Sequence, residues 1–381
     1  MKIKHLYLVL FTICLFASCG GGNKTNRQKT DDSTLSLIYE PQYARGYKMG
    51  KINDVKVLQV TNPWQGASGI EFTYYLKPDA DPKKTDEIKT PVNKVICLST
   101  THIAYINAID KTQAVCGVSG ASYVSNPKVQ QGIAEKRVVD VGYDSGLMYE
   151  TVVSLQPDVV FAYGVSGELT GISTKLNELG IKVVYLGDYL EESPLGKAEW
   201  LVAIASFFNA EEQAEKKLEP IFSEYNKLTE MLKAMTTLRP KVMLNAPWKD
   251  TWYIPGGKSY LVNMIKDAGA DFVLGDNDNR ESSPINLERA YLEASKAEYW
   301  LNPNAAQSLA DVKREDERLA SIPAFKNCKV YNNNARTTPG GGSDFWESGV
   351  MNPHIILQDL VKIFHANLLP EHELVYFHQL K

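Results

Sequence analysis

Three hydrophobic rhythms succeed one another along the chain. Between residues 47 and 76, polar and apolar side chains alternate in short runs. Val55, Val57, Leu58 and Val60 lead to the turn formers Asn62-Pro63, and Ile70, Phe72, Tyr74 and Leu76 follow. Such runs bounded by Gly, Pro and Asn predict antiparallel strands. The polar stretch 77–90 reads as a loop, so residues 34–91 form a β-rich extension packed on what comes next.

From residue 92 the rhythm changes. Apolar runs at 94–98, 114–118, 158–162 and 182–186 alternate with helical patterns at 100–108, 148–154 and 171–179. This alternation predicts parallel βα units. It resumes after Arg239-Pro240, with strands at 241–244, 299–301 and 329–331 and helices at 260–268, 287–294, 312–319 and 353–364.

Between the two blocks the period lengthens. Residues 195–208 predict a helix, and Ala214, Leu218, Ile221, Phe222, Tyr225, Leu228, Met231 and Leu232 form one stripe of a 3.6-residue period. Glu211 and Glu212 sit where the helix dipole favours negative charge. Pro220 is an interior blemish. At ~1.5 Å per residue this helix spans roughly 37 Å, the proportion of a beam between two lobes. The expected plan is α/β: an amino-terminal lobe over 92–210, a bridging helix over 211–236, a second lobe over 237–369 and a solvated tail over 370–381.

The amino terminus places the protein. Lys2 and Lys4, the apolar run 6–16 and the small pair Ala17-Ser18 before Cys19 form a secretory signal over residues 1–18. The run is too short to cross a bilayer, which takes ~20 residues. Residues 19–33 lack large apolar side chains and read as a flexible tether. Leu15-Phe16-Ala17-Ser18-Cys19 resembles a bacterial lipobox, which implies lipidation of Cys19 and anchoring on the periplasmic side of a membrane.

Charge and cysteine content narrow the classes. A net charge of −4 without a basic block argues against nucleic-acid binding. Of five cysteines, only Cys97, Cys116 and Cys328 lie beyond the signal and Cys19, too few for a disulfide framework. Cys97 and Cys116 sit in strand-like runs, as buried free thiols or, in the alternative, as one disulfide.

Several segments, in order, carry a family likeness. They are Val95-Ile96-Cys97-Leu98-Ser99, Glu150 with Leu155-Gln156-Pro157-Asp158-Val159-Val160, residues 176–184, Ala268-Gly269-Ala270, residues 283–288, and Asp344-Phe345-Trp346-Glu347 followed by Pro353-His354-Ile355-Ile356-Leu357. The chain resembles, over roughly residues 92–369, the solute-binding proteins of the iron-chelate and vitamin B12 family of ABC importers. The resemblance implies the class III periplasmic-binding-protein architecture: two Rossmann-like lobes joined by one long α-helix, with ligand in the cleft between them. It also implies an ABC permease with its ATPase as partners, docked through one exposed glutamate per lobe. Glu347 and Glu168 occupy the corresponding places. The extension before residue 92 departs from the family pattern.

Ligands of α/β lobes bind at the carboxyl ends of strands and at helix amino termini. That rule selects Ser99, Thr101, His102, Tyr123, Tyr143-Asp144 and Tyr163 in the first lobe. In the second it selects Trp248, Trp252-Tyr253, Asn279-Arg280, Arg336 and Phe345-Trp346. Aromatic walls suit a flat or bulky metal chelate, the alternative being side chains that pack the lobes. His102 reads either as an axial ligand to haem iron or, more plainly, as a hydrogen-bonded loop histidine. Glu371-His372-Glu373 and His378 resemble a metal cluster but lie in the tail. The glycine runs 256–257 and 340–342 lack a P-loop ending and read as tight turns.

No Gly-x-Ser-x-Gly, His-Glu-x-x-His or CxxC pattern occurs, so an enzyme that processes chelates is the weaker reading, beside a carrier lipoprotein without a permease. The expected protein is a monomeric receptor with no intrinsic cofactor and no metal site of its own. Its cargo is an iron complex (ferric siderophore or haem), with cobalamin the alternative.

Overall fold

The structure, a computed structural model, describes residues 35–143, 146–164, 169–235 and 238–381. Cys19, Asp144 and Glu168 lie outside the described residues.

The extension is a five-stranded sheet in sequence order, β1 (Ser36–Tyr39), β2 (Tyr47–Ile52), β3 (Val55–Thr61), β4 (Glu71–Lys77) and β5 (Glu87–Lys89). Its pairs are antiparallel except β4–β5. The stretch expected as a loop thus contains an edge strand. Tyr47, Met49, Leu58, Val60, Tyr74 and Leu76 are buried in a core shared with the first lobe.

That lobe runs β6 (Val95–Cys97), α1 (Thr100–Ala108), β7 (Val115–Val118), α2 (Pro127–Ala134), β8 (Val139–Asp140), α3 (Tyr149–Leu155), β9 (Val159–Ala162), α4 (Leu169–Glu178) and β10 (Val183–Tyr185). Its sheet is parallel, in the order β10-β9-β6-β7-β8. The central strands are buried on both faces, as continuous apolar runs require: Val95 and Cys97 enter one core and Ile96 the other. Helix α2 had no clear apolar stripe in the sequence. Asn126 starts it by accepting the Lys128 and Val129 N–H groups.

Two helices follow, α5 (Pro194–Ala205) and α6 (Glu211–Met235). The stripe on α6 serves two cores, Ala214, Leu218 and Ile221 in the first lobe and Tyr225 and Leu232 in the second. This is the bridging beam. It runs through Pro220, which is exposed, so the Lys216 carbonyl left without a ladder donor can be hydrated.

The second lobe contains β11 (Lys241–Leu244), β12 (Pro247–Trp248), β13 (Thr251–Ile254), α7 (Tyr260–Asp267), β14 (Asp271–Phe272), β15 (Ser283–Ile285), α8 (Leu287–Ala294), β16 (Tyr299–Leu301), α9 (Leu309–Glu315), α10 (Pro323–Lys326), β17 (Val330–Asn332), α11 (Pro353–Phe364) and β18 (His378–Gln379). Its main sheet is β14-β11-β16-β17-β18, and β12-β13-β15 form a small antiparallel sheet. Two sequence readings are corrected. The helix expected over 312–319 ends at Glu315 and continues only as a 3₁₀ segment, Glu317–Ser321. Residues 370–381 are no solvated tail: β18 pairs with β17, and Tyr376, Phe377 and Leu380 are buried. The buried Asp359 carboxylate holds this segment, accepting the Val375, Tyr376 and Phe377 N–H groups at 3.0, 2.7 and 3.2 Å and contacting His372 at 2.7 Å.

The same device anchors the extension. Glu199 of α5, 1% exposed, accepts the Tyr39 hydroxyl at 2.7 Å and the Gln42, Tyr43 and Ala44 N–H groups at 2.8, 2.7 and 2.7 Å. Glu191 accepts Arg45 and Gly46 N–H and the Trp200 indole N–H. Glu199→Ala leaves four donors without an acceptor. We expect it to cost at least about 3 kcal/mol of unfolding free energy in urea, since each bond to a charged group contributes ~1.5–3 kcal/mol, and Glu199→Gln to cost less. A loss below about 0.5 kcal/mol would show that this carboxylate does not hold residues 39–44.

Candidate functional site

The carboxyl ends of strands from both lobes converge on one cavity of about 510 Å³. From the first lobe, Ser99 and Thr101 follow β6, Tyr163 follows β9, and Asp188, Tyr189 and Leu190 follow β10. From the second, Asn245 follows β11, Ser259 and Tyr260 open α7, Arg280, Glu281 and Ser282 precede β15, and Trp346 reaches in from the loop before α11. Two helix amino termini face this space. Ser99 caps α1 through Thr101 N–H, and Ser259 caps α7 through Val262 N–H. The turn before α7 depends on its glycines, since a Cβ on Gly256 would lie 2.2 Å from the Asn279 carbonyl oxygen.

The floor is charged. Lys197 of α5 is buried with its Nζ 3.9 Å from Asp188 Oδ2 and 4.6 Å from the centre of the Tyr260 ring. The Tyr105 hydroxyl donates to Lys197 O at 2.7 Å and lies 3.2 Å from Asp188 Oδ2. Burial holds the Asp188 carboxyl above the usual range, opposed by Lys197 and Tyr105. A ring-lined space with one ammonium and one carboxylate in its floor can grip a large, partly polar solute and orient it.

Beside this cavity the lobes are clasped together. Glu347 of the second lobe accepts the Ser125 and Asn126 N–H groups, each at 2.7 Å, in front of α2. The Thr101 hydroxyl donates to Trp346 O at 3.2 Å, and the Thr338 hydroxyl to Ser122 O at 2.6 Å. The run 340–342 must be glycine here, because a Cβ on Gly342 would stand 2.1 Å from the Tyr123 carbonyl oxygen. Burial pushes the Glu347 carboxyl up to about 7, opposed by the two backbone N–H groups and assisted by Asp344. On the far side of the clasp lies a second cavity of about 580 Å³, bordered by Asn107, Lys128, Lys217 and Arg336 and lacking aromatic walls.

The sequence profile of the periplasmic binding protein family matches residues 95–337. This chain belongs to that family. An uncharacterised lipoprotein of Methanocaldococcus jannaschii is 28% identical over 334 residues, covering 80% of this chain and 77% of the relative. A crystal structure from the Fe³⁺-hydroxamate transport system of Saccharomonospora viridis superposes with a TM-score of 0.57 at 16% identity, over 81% of this chain and 98% of the other. A periplasmic haem-binding protein of Pseudomonas aeruginosa does so with a TM-score of 0.56 at 16% identity, over 76% and 98%. At such identities the structures share the fold.

In this periplasmic binding protein, Thr101, Tyr163 and Trp346 stand in the cavity wall. Tyr143 is exposed, with its hydroxyl 3.4 Å from that of Tyr163. Tyr123 is exposed beside the glycine turn. Trp248 and Tyr253 are exposed on the β12–β13 hairpin and do not border the cavity. Arg336 pairs with Asp344 at 2.6 Å and lies over the Tyr376 ring at 4.5 Å, beside the second cavity. Four expectations are corrected. Trp252 is fully buried, donating its indole N–H to Leu244 O, because alternation along β13 turns it inward and Tyr253 outward. Phe345 is buried against Tyr376 and Phe377. His102 lies inside α1, fully buried against Phe161 and outside the cavity wall, so it is not a loop residue and does not reach a ligand there; desolvation drives its pKa down to about 3. Glu347 is 2% exposed and engaged across the lobes, not free on the surface.

The missed wall residues are of two kinds. Asp188 follows a strand and Ser259 opens a helix, so the same positional rule extends to them. Lys197, inside a helix, and Gln65, in the extension, gave no signal.

The Glu347 clasp carries a pH dependence. A carboxyl raised from 4.5 to about 7 binds its proton more tightly when the lobes are closed than when Glu347 is hydrated. Closure is therefore favoured most below the ordinary carboxyl range and loses ground as pH rises through 7. Small-angle scattering of the ligand-free protein should show a more open average at pH 8 than at pH 5, and Glu347→Gln should flatten the dependence. An undiminished dependence in that variant would remove Glu347 as its cause.

Proposed function

We propose that this chain is the solute receptor of an ABC-type importer. It captures a metal chelate between its lobes, an iron complex such as haem or a ferric siderophore, and delivers it to a permease. The observation that carries this reading is the cavity at the strand ends, walled by Tyr163, Tyr189, Tyr260 and Trp346 from both lobes. Rings on opposite walls offer large rigid apolar area with polar edges, which matches a flat or bulky complex. Among the described residues no group of three His, Cys, Asp or Glu side chains converges. The haem and hydroxamate subjects of the structural neighbours agree with such a cargo.

Titration of the protein with ferric haem, a ferric hydroxamate and cobalamin, followed by tryptophan fluorescence, tests the cargo. We expect saturable quenching by an iron complex, weakened about tenfold in Trp346→Ala, the order of effect for an aromatic wall, and unchanged in Trp248→Ala. Absence of quenching by all three compounds would overturn the chelate reading, and a cobalamin-only response would transfer it to corrinoids.

We further propose that Cys19 carries the lipid that tethers the receptor outside the membrane, consistent with the lipobox-like run before it and with the lipoprotein name of the relative. Cys19→Ser should move the protein from the membrane fraction to the soluble fraction. Retention in the membrane fraction would contradict lipid anchoring.

A further inference from the structure

The amino-terminal sheet does more than pack on the first lobe. The loop joining β3 to β4, residues 62–70, is closed at its base by Asn62, whose backbone N–H donates to Ile70 O at 2.8 Å and whose side chain accepts Ile70 N–H at 3.1 Å. Trp64 fixes the loop to the first lobe. It is buried, packs edge-on against Tyr185 with ring centres 5.3 Å apart, and bridges in parallel to Gly164, next to the cavity residue Tyr163. Gln65 then stands in the cavity wall, with its N–H donated to the Tyr189 hydroxyl at 3.2 Å.

The loop next crosses to the other lobe. Gly66 N–H donates to Glu281 Oε1 at 2.9 Å. Gly66 has φ +76°, a conformation that glycine adopts without strain, and nothing crowds its α-carbon. A second cross-lobe contact lies beside it, Arg280 Nε to Glu192 Oε1 at 2.5 Å. Behind the loop the main cavity adjoins a chamber of about 280 Å³ bordered by Trp64, Gly66, Glu191, Arg280 and Glu281. The sheet that carries the loop cannot drift, because Glu199 and Glu191 pin residues 39–46 to the first lobe.

We propose that the extension is a third wall of the receptor. Its 62–70 loop spans the mouth of the cleft, Gln65 contacts the cargo and selects its shape, and the Gly66–Glu281 bond keeps the closed lobes together and slows release. The Gln65 role rests on the reading of this cavity as the ligand site; the clasp itself does not.

Two readouts on the full chain separate these. In the ligand-free protein, hydrogen exchange at the Gly66 amide should accelerate in Glu281→Ala and much less in Glu281→Gln, which keeps an amide oxygen as acceptor. With ferric haem as probe, stopped-flow release should be about fivefold faster in Glu281→Ala, the order expected for one exposed bond to a carboxylate, and Gln65→Ala should weaken haem affinity. Unchanged Gly66 exchange in Glu281→Ala overturns the clasp whether or not haem binds. If the unaltered protein binds haem and neither variant changes release or affinity, the third wall is overturned while the receptor reading stands. Failure of the unaltered protein to bind haem counts against the cargo alone and leaves the clasp to the exchange result.

Discussion

Helix α5 is the constraint on which the rest of the fold depends. All twelve of its residues, Pro194–Ala205, are buried, including a lysine and a glutamate. Burying charge is costly unless it is paired and hydrogen-bonded. Lys197 and Glu199 are two positions apart, so they leave the helix in directions roughly 200° apart at 3.6 residues per turn. Glu199 collects the backbone of the extension; Lys197 sits in the cleft floor beside Asp188 and under Tyr260. The helix also packs on α1 of the first lobe, on α7 of the second and on the bridging helix α6. Both lobes, the extension and the cavity therefore meet on one twelve-residue element.

Four buried carboxylates use one device, accepting consecutive backbone N–H groups, to different ends. Glu199, Glu191 and Asp359 gather segments within one half of the fold, the first lobe with its extension and the second lobe with its last strand. Glu347 makes two such bonds across the lobes, and burial outweighs them in setting its proton affinity. A clasp whose carboxyl is held above its ordinary range by burial is one that pH can loosen.

Much of this architecture was legible in the chain. The stripe on residues 211–235 and the doubly buried strands follow from apolar spacing alone, since period and burial are coupled. The rule that ligands gather at strand ends found Ser99, Thr101, Tyr163 and Trp346 because it locates turns. It says nothing of the direction in which a side chain leaves its turn, so it also chose Trp252, turned inward by strand alternation, and His102, one step around α1 from Thr101 and facing the sheet. The last twelve residues looked like a tail because their hold on the fold comes from Asp359, distant in sequence. Lys197, Gln65 and the burial of Glu347 depend on which elements meet, information that no local pattern carries.

The central claim is that solute is held where the strand ends of both lobes face each other. Hydrogen exchange of the whole protein with and without a saturating iron chelate tests this directly. The account predicts that ligand slows exchange together in residues 99–101, 188–190, 259–261 and 280–282, which border one cavity. Protection confined to residues 107–128 and 344–352 around the second cavity, or none in either set on saturation, would contradict it.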